Sequence, residues 1–145
     1  AGTIPASGSV SFYLKMFNAE HPFTLPQDFN LVVAPVSRSW SEGTGLDMDE
    51  YKDLGVSNWM KSDASTSWTN VGGDYRTASN YNVSFPEGYE DLEVDVSDVV
   101  EKWISGADPA FANNYGFGVR LTASQLFLLF FPRTGRRQLE HTSAI

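Results

Sequence analysis

Only one stretch of this chain repeats its apolar residues with the period of a helix, and it lies within DLEVDVSDVVEKWISG, Asp91 to Gly106. Leu92, Val94 and Val96 first alternate with Asp91, Glu93 and Asp95, as on a half-buried strand. Val96, Val99, Val100, Trp103 and Ile104 then fall on a single helical stripe. The spacing predicts a short helix over 98–105, with Asp98 and Glu101 placed as a capping box, Asp95 or Asp98 serving the helix N-terminus and Gly106 as the C-cap. Adjacent parallel strands need a crossover connection, usually a helix, and one helix supplies at most one of these. The rest of the chain therefore reads as antiparallel β, and the expected class is an all-β sandwich with this helix closing one end.

The other period-two runs are short. SVSFYLKMF places Val10, Phe12, Leu14 and Met16 on one side, FNLVVAPV places Phe29, Leu31 and Val33 together before Pro35, and YNVSF alternates from Tyr81 to Phe85. YGFGVRL turns Tyr115, Phe117, Val119 and Leu121 inward. Gly116 and Gly118 then lie on the far face, where their missing side chains permit close approach of another element. Between the second and third runs, from Ser37 to Tyr81, the chain is polar, aromatic and aperiodic. A connection of this length is either functional or folded onto the body by its own side chains, and Trp40, Trp59 and Trp68 are large enough to do the second. Within it MDEYKDLG, Met48 to Gly55, has the make-up of one or two helical turns.

At 145 residues the chain fits one domain, predicted over 1–131, followed by a basic tail or arm over 132–145. It has no cysteine, which excludes disulfides and thiolate ligands. The net charge of −8 is uneven: through Pro132 there are seventeen acids to seven bases, whereas Arg133, Arg136 and Arg137 face a single Glu140 beyond it. An acidic body repels phosphate, so nucleic acid and anionic membranes are not expected partners. The longest apolar run, LFLLFF, Leu126 to Phe131, suits a buried strand and is too short for a membrane span.

The two histidines, His21 and His141, sit in a Pro-containing turn and in the tail, and no nucleophile elbow, phosphate loop or zinc-ligand spacing is present. Paired carboxylates for glycoside cleavage would come from Glu42, Asp47, Asp49 or Glu50, none of which the pattern singles out from solvated surface. Asp47, Asp49, Glu50 and Asp53 offer hard oxygen ligands for calcium, although their spacing is not that of the twelve-residue hand loop. Otherwise no cofactor is expected. Trp40, Trp59 and Trp68 with Asn70 and Asp74 have the chemistry of a glycan platform, rings to stack on a pyranose and polar groups to fix its hydroxyls; the same tryptophans serve equally as plugs holding the connection down. Asn82 to Ser84 is a glycosylation sequon inside a strand.

RSWSEG, SWTNVGGDY, VDVSDVVEKWISG and NYGFGVRL, in that order, resemble the DNRLRE-type repeat domains and their carbohydrate-binding-like relatives. The matching positions are Arg38, Trp40, Glu42 and Gly43, then Trp68 and Asn70, then Val94, Asp95, Val96, Val99 and Trp103, and finally Asn114, Tyr115, Gly116 and Phe117. The EGTGLDMDEYKDLGVSNWMK insert and the SWTNVGGDY segment look closer still to structural proteins of tailed bacteriophages, particularly marine ones. The resemblance implies a jelly-roll β-sandwich with Trp40, Trp68, Trp103, Tyr115 and Phe117 in its core. It implies a non-enzymatic structural or accessory virion protein, in capsid, neck, tail or fibre. The alternative is a glycan-binding adhesion domain, extracellular or at a cell surface. Relative to that family the chain starts late and ends differently, which points to strands supplied by a longer molecule or by a neighbour. Leu126, Phe127, Leu128, Leu129, Phe130 and Phe131, with Arg133, Arg136 and Arg137, are the expected assembly contact of a homo-oligomer or shell-bound subunit.

Overall fold

The computed structural model describes residues 6–20, 22, 25–43 and 55–122. In chain order it contains β1 (Tyr13–Met16), β2 (Phe29–Pro35), β3 (Tyr81–Phe85), β4 (Leu92–Asp95), α1 (Ser97–Ser105) and β5 (Phe117–Leu121), with single 3-10 turns at Thr77–Ser79 and Pro109–Phe111. All pairing is antiparallel: β1 lies beside β4, and β2 lies between β3 and β5.

The expected closed jelly roll is not formed. The described residues make a small mixed α/β domain of two separate open sheets, two- and three-stranded, with one short helix. A jelly roll needs about eight strands. The described part of the connection between β2 and β3 contributes only the isolated bridges Val36 with Tyr75 and Lys61 with Ser67, because its glycines, serines and asparagines interrupt the alternation before a strand's length is reached.

The two sheets share one core. In register, Leu31 and Val33 of β2 stand opposite Val83 and Tyr81 of β3 and opposite Leu121 and Val119 of β5, so all six side chains point to one face. Val33 and Phe85 meet Leu92, Val94 and Val96 from the other sheet, with Phe12 and Leu14 packed alongside. Phe29 stacks on its cross-strand neighbour Phe85, centroids 5.0 Å apart. The two-stranded sheet is narrower than the face it covers. Phe117 gains its cover from α1, where Trp103 sits edge-on at 5.0 Å, while Val119 is left 37% exposed.

The helix forms where the spacing placed it, but its start is built differently from the capping box. Val96 occupies the N-cap without a side-chain cap. Asp98 instead accepts from the Tyr81 hydroxyl, and Glu101 accepts from the Ser7 hydroxyl at 2.8 Å and from Gly8 N–H. Asp95 takes the structural role, accepting from the Ser97 hydroxyl and, at 3.0 Å, from Ser97 N–H, bonds that hold its pKa below the usual carboxylate range. Gly106 ends the helix in the left-handed region at φ 60°, its N–H on the carbonyl of Lys102.

Candidate functional site

The far face of the three-stranded sheet is also covered. Val32 and Ala34 point to it and are buried, and in register they oppose Arg120 and Gly118 of β5. The cover is Tyr75. A side chain at Gly118 would place its Cβ 2.3 Å from the Tyr75 ring, so the ring rests directly on the glycine backbone. Arg120 lies over the same ring at 5.3 Å. Its Nε is buried without a hydrogen-bond partner among the described residues.

Asp74 holds this layer in place. Its carboxylate, 6% exposed, accepts from the backbone N–H groups of Thr69 at 2.9 Å and Asn70 at 2.8 Å, and from the Asn70 amide at 3.2 Å, with the Arg38 guanidinium 3.4 Å away. Burial pushes its pKa up, but the donors from Thr69 and Asn70 outweigh that and bring it down to about 2. The Ser37 N–H donates to the Asp74 carbonyl and the Arg76 N–H to the Pro35 carbonyl, which anchors the end of the connection to β2.

The three tryptophans of the connection gather here. Trp68 donates its indole N–H to the carbonyl of Asn58 and Trp40 to that of Tyr115, both at 2.8 Å. Trp59 lies on Gly72, where an added Cβ would sit 2.8 Å from the ring and φ is +91°. Tyr75 donates its hydroxyl to the Gly72 carbonyl at 3.0 Å. Trp59, Tyr75 and Arg120 thereby separate two clefts. One of about 320 Å³ is lined by Trp40, Trp68, Phe117 and Gly118; the other, of about 520 Å³, is lined by Val71, Thr77, Val119 and Leu121. Trp40 is 37% exposed and Trp59 49%.

The expected glycan residues are therefore brought together, with ring faces open to solvent. Their polar members are spent within the fold, however: Asn70 and Asp74 bind each other, and two indole N–H groups bind carbonyls. Of the expected core aromatics, Trp103, Phe117, Tyr115 and Trp68 are half-buried and Trp40 is exposed. The calcium candidates Asp47, Asp49, Glu50 and Asp53 lie outside the described residues, and no cluster of three metal-ligating side chains occurs among those described. The expected assembly segment, Leu126 to Phe131 with Arg133, Arg136 and Arg137, also lies outside them, as does the helical stretch expected over Met48 to Gly55 apart from Gly55 itself. Tyr75, Val71 and Val119 were not among the expected site residues, although the far-face glycines of YGFGVRL signalled that something would pack at Gly118.

The remaining feature is the edge of β5. Val36 N–H donates to the Gly116 carbonyl. The alternation of an antiparallel ladder then directs the backbone groups of Gly118 and Arg120 toward β2 and those of Phe117, Val119 and Leu121 away from it. No strand among the described residues pairs with that outer side. The core-face flank of this edge is apolar, with Val119 and Leu121; across the larger cleft Trp59, Val71 and Tyr75 stand together with Arg120, Asn70 and Thr77.

The chain matches no family model, no curated protein and no solved structure. The resemblance to DNRLRE-type and phage structural proteins is thereby overturned, and with it the viral, jelly-roll and carbohydrate-binding identity it implied. The sheets are not closed as that family requires. No helix among the described residues is long and apolar enough to cross a membrane.

Proposed function

We propose that the chain is a non-catalytic assembly module that joins another polypeptide by adding an extended segment to the outer edge of β5. The observation that carries this reading is the coincidence, on one strand, of backbone groups left without a partner strand among the described residues, at Phe117, Val119 and Leu121, and adjoining apolar side chains, Val119 and Leu121 on one flank and Trp59, Val71 and Tyr75 on the other. Strand addition draws affinity from main-chain hydrogen bonds and specificity from pockets that alternate side chains enter. The larger cleft, about 520 Å³, provides such a pocket beside the ladder. The competing reading, a sugar stacked on Trp59 and Trp40, is favoured by their exposed rings, but the residues that would fix its hydroxyls are already engaged.

The test is amide exchange in dilute solution, with and without an extended peptide that is apolar on both faces. Exchange at Val119 and Leu121 is expected to slow on adding peptide while that at Val33 stays unchanged. Unaltered exchange at Val119 and Leu121 under saturating peptide overturns the reading, and quenching of Trp59 fluorescence by oligosaccharides instead supports the sugar.

A further inference from the structure

We infer that the segment added to β5 presents an aspartate or glutamate opposite Arg120, between apolar side chains opposite Val119 and Leu121; this deepens the β5-edge reading above and rests on it. The register supplies the positions. On the far face Arg120 stands in one row with Val32 of β2 and, beyond it, Asn82 of β3. Neither is acidic, so within the described sheet no cross-strand neighbour balances the charge, and the place still open in that row is the outer one. Because the Arg120 backbone groups turn toward β2, its outer side is a non-hydrogen-bonded position for an antiparallel partner, where facing side chains stand closest. On the core face Val119 and Leu121 stand beside Val33 and Leu31 of β2, and carrying these rows outward calls for apolar side chains.

The surroundings of the guanidinium specify the chemistry. It lies over the Tyr75 ring at 5.3 Å, and its Nε is buried with no hydrogen-bond partner among the described residues. Burial withdraws part of the cation from water without giving it an acceptor. Arg120 lines both clefts beside Trp59 and Tyr75, and in a chain of eighteen acids to ten bases none of the described residues lining either cleft is acidic. Asp74, which follows Gly73, turns its carboxylate to Thr69, Asn70 and Arg38 instead. A planar guanidinium already held against a ring loses little freedom on taking a carboxylate. The same domain makes such a pair across its other sheet, where Lys15 of β1 opposes Glu93 of β4 and meets it at 2.8 Å. The partner's segment therefore reads apolar, acidic, apolar over three successive residues.

The experiment follows amide exchange of the full chain during titration with two acetylated, amidated peptides, Ile-Thr-Val-Glu-Val-Thr-Ile and its twin with glutamine in place of glutamate. Both are expected to slow exchange at Val119 and Leu121, the glutamate peptide at about fivefold lower concentration. Raising the salt to about 1 M should bring the two together. In Arg120→Gln the twins should act at equal concentration. Should that variant fail to fold, the twins and the salt dependence on the unaltered chain keep the test decisive. Twins that act equally on the unaltered chain, or a preference for glutamate that survives Arg120→Gln, overturn the inference and keep the β5 edge. If neither peptide slows exchange at saturation, the inference and the β5-edge reading fall together.

Discussion

β4 and β5 carry the same alternating pattern and reach opposite ends. In β4, Leu92 and Val94 are both buried, because the wider three-stranded sheet faces them completely. In β5, Phe117, Val119 and Leu121 point into the same core, yet all three stay partly accessible, because the two-stranded sheet opposite stops short. Alternation thus states which side of a strand is apolar, whereas the width of the opposing layer states how much of that side is buried. The surplus apolar surface on β5 is what supports the proposed docking edge.

The comparison breaks most directly by cutting the same side chain on each strand. Leu92→Ala is expected to cost about 3 kcal/mol, the transfer and cavity cost of a well-packed leucine, whereas Leu121→Ala costs about 1 kcal/mol in the monomeric state. Urea unfolding at low concentration measures both. Equal losses would mean that β5 is as well covered as β4. If the loss at Leu121 grows with protein concentration, a partner supplies the missing cover.

The next effect concerns the far face. Gly118→Ala drives a methyl into the Tyr75 ring, a close approach that the ring relieves only by shifting from its place beside Arg120. Overpacking of this kind is expected to cost about 2 kcal/mol. A second substitution, Tyr75→Ala, should restore part of it, since the clash is with that ring. Additive losses in the double variant would place the strain elsewhere.

Asp74 distinguishes the connection from the sheets by its pH response. With its folded pKa lowered to about 2 from an unfolded 3.8, the carboxylate contributes stability that is complete above the unfolded value and is lost as pH falls through the folded one. The melting midpoint should therefore decline between about pH 4 and pH 2, and Asp74→Asn should flatten part of that decline while costing about 1.5 kcal/mol at neutral pH. An unchanged pH profile in the variant would remove Asp74 as the anchor of the layer.

These contrasts also show what could be read from residues alone. The runs at Phe29, Tyr81, Leu92 and Phe117 and the stripe from Val96 to Ile104 each became the element their period indicated, since period is a local property of the chain. Closure was not legible: whether five strands form one wrapped sandwich or two open sheets depends on pairings between distant residues such as Leu31 and Leu121. The capping box failed for a similar reason. Asp98 and Glu101 found better partners in Tyr81, Ser7 and Gly8, which are distant in sequence. At the candidate site the tryptophans were visible by type. That Asn70 and Asp74 would satisfy each other, and that Tyr75 would lie on Gly118, required the chain to be folded.

The smallest expected effect lies on the outward side of β4, where Lys15 and Glu93 oppose each other and pair at 2.8 Å, with Lys15 also over the Tyr13 ring at 5.8 Å. Both side chains are about half exposed, so water and salt screen the pair and ordering two flexible chains offsets much of the attraction. Glu93→Gln should shift stability by about 0.5 kcal/mol or less, and the shift should vanish in about 1 M salt. A larger, salt-resistant loss would mean that this face is covered by another molecule. A negligible loss leaves the asymmetry intact: β4 spends its apolar residues on the core and exposes a charged face, while β5 keeps Val119 and Leu121 partly accessible on its core face.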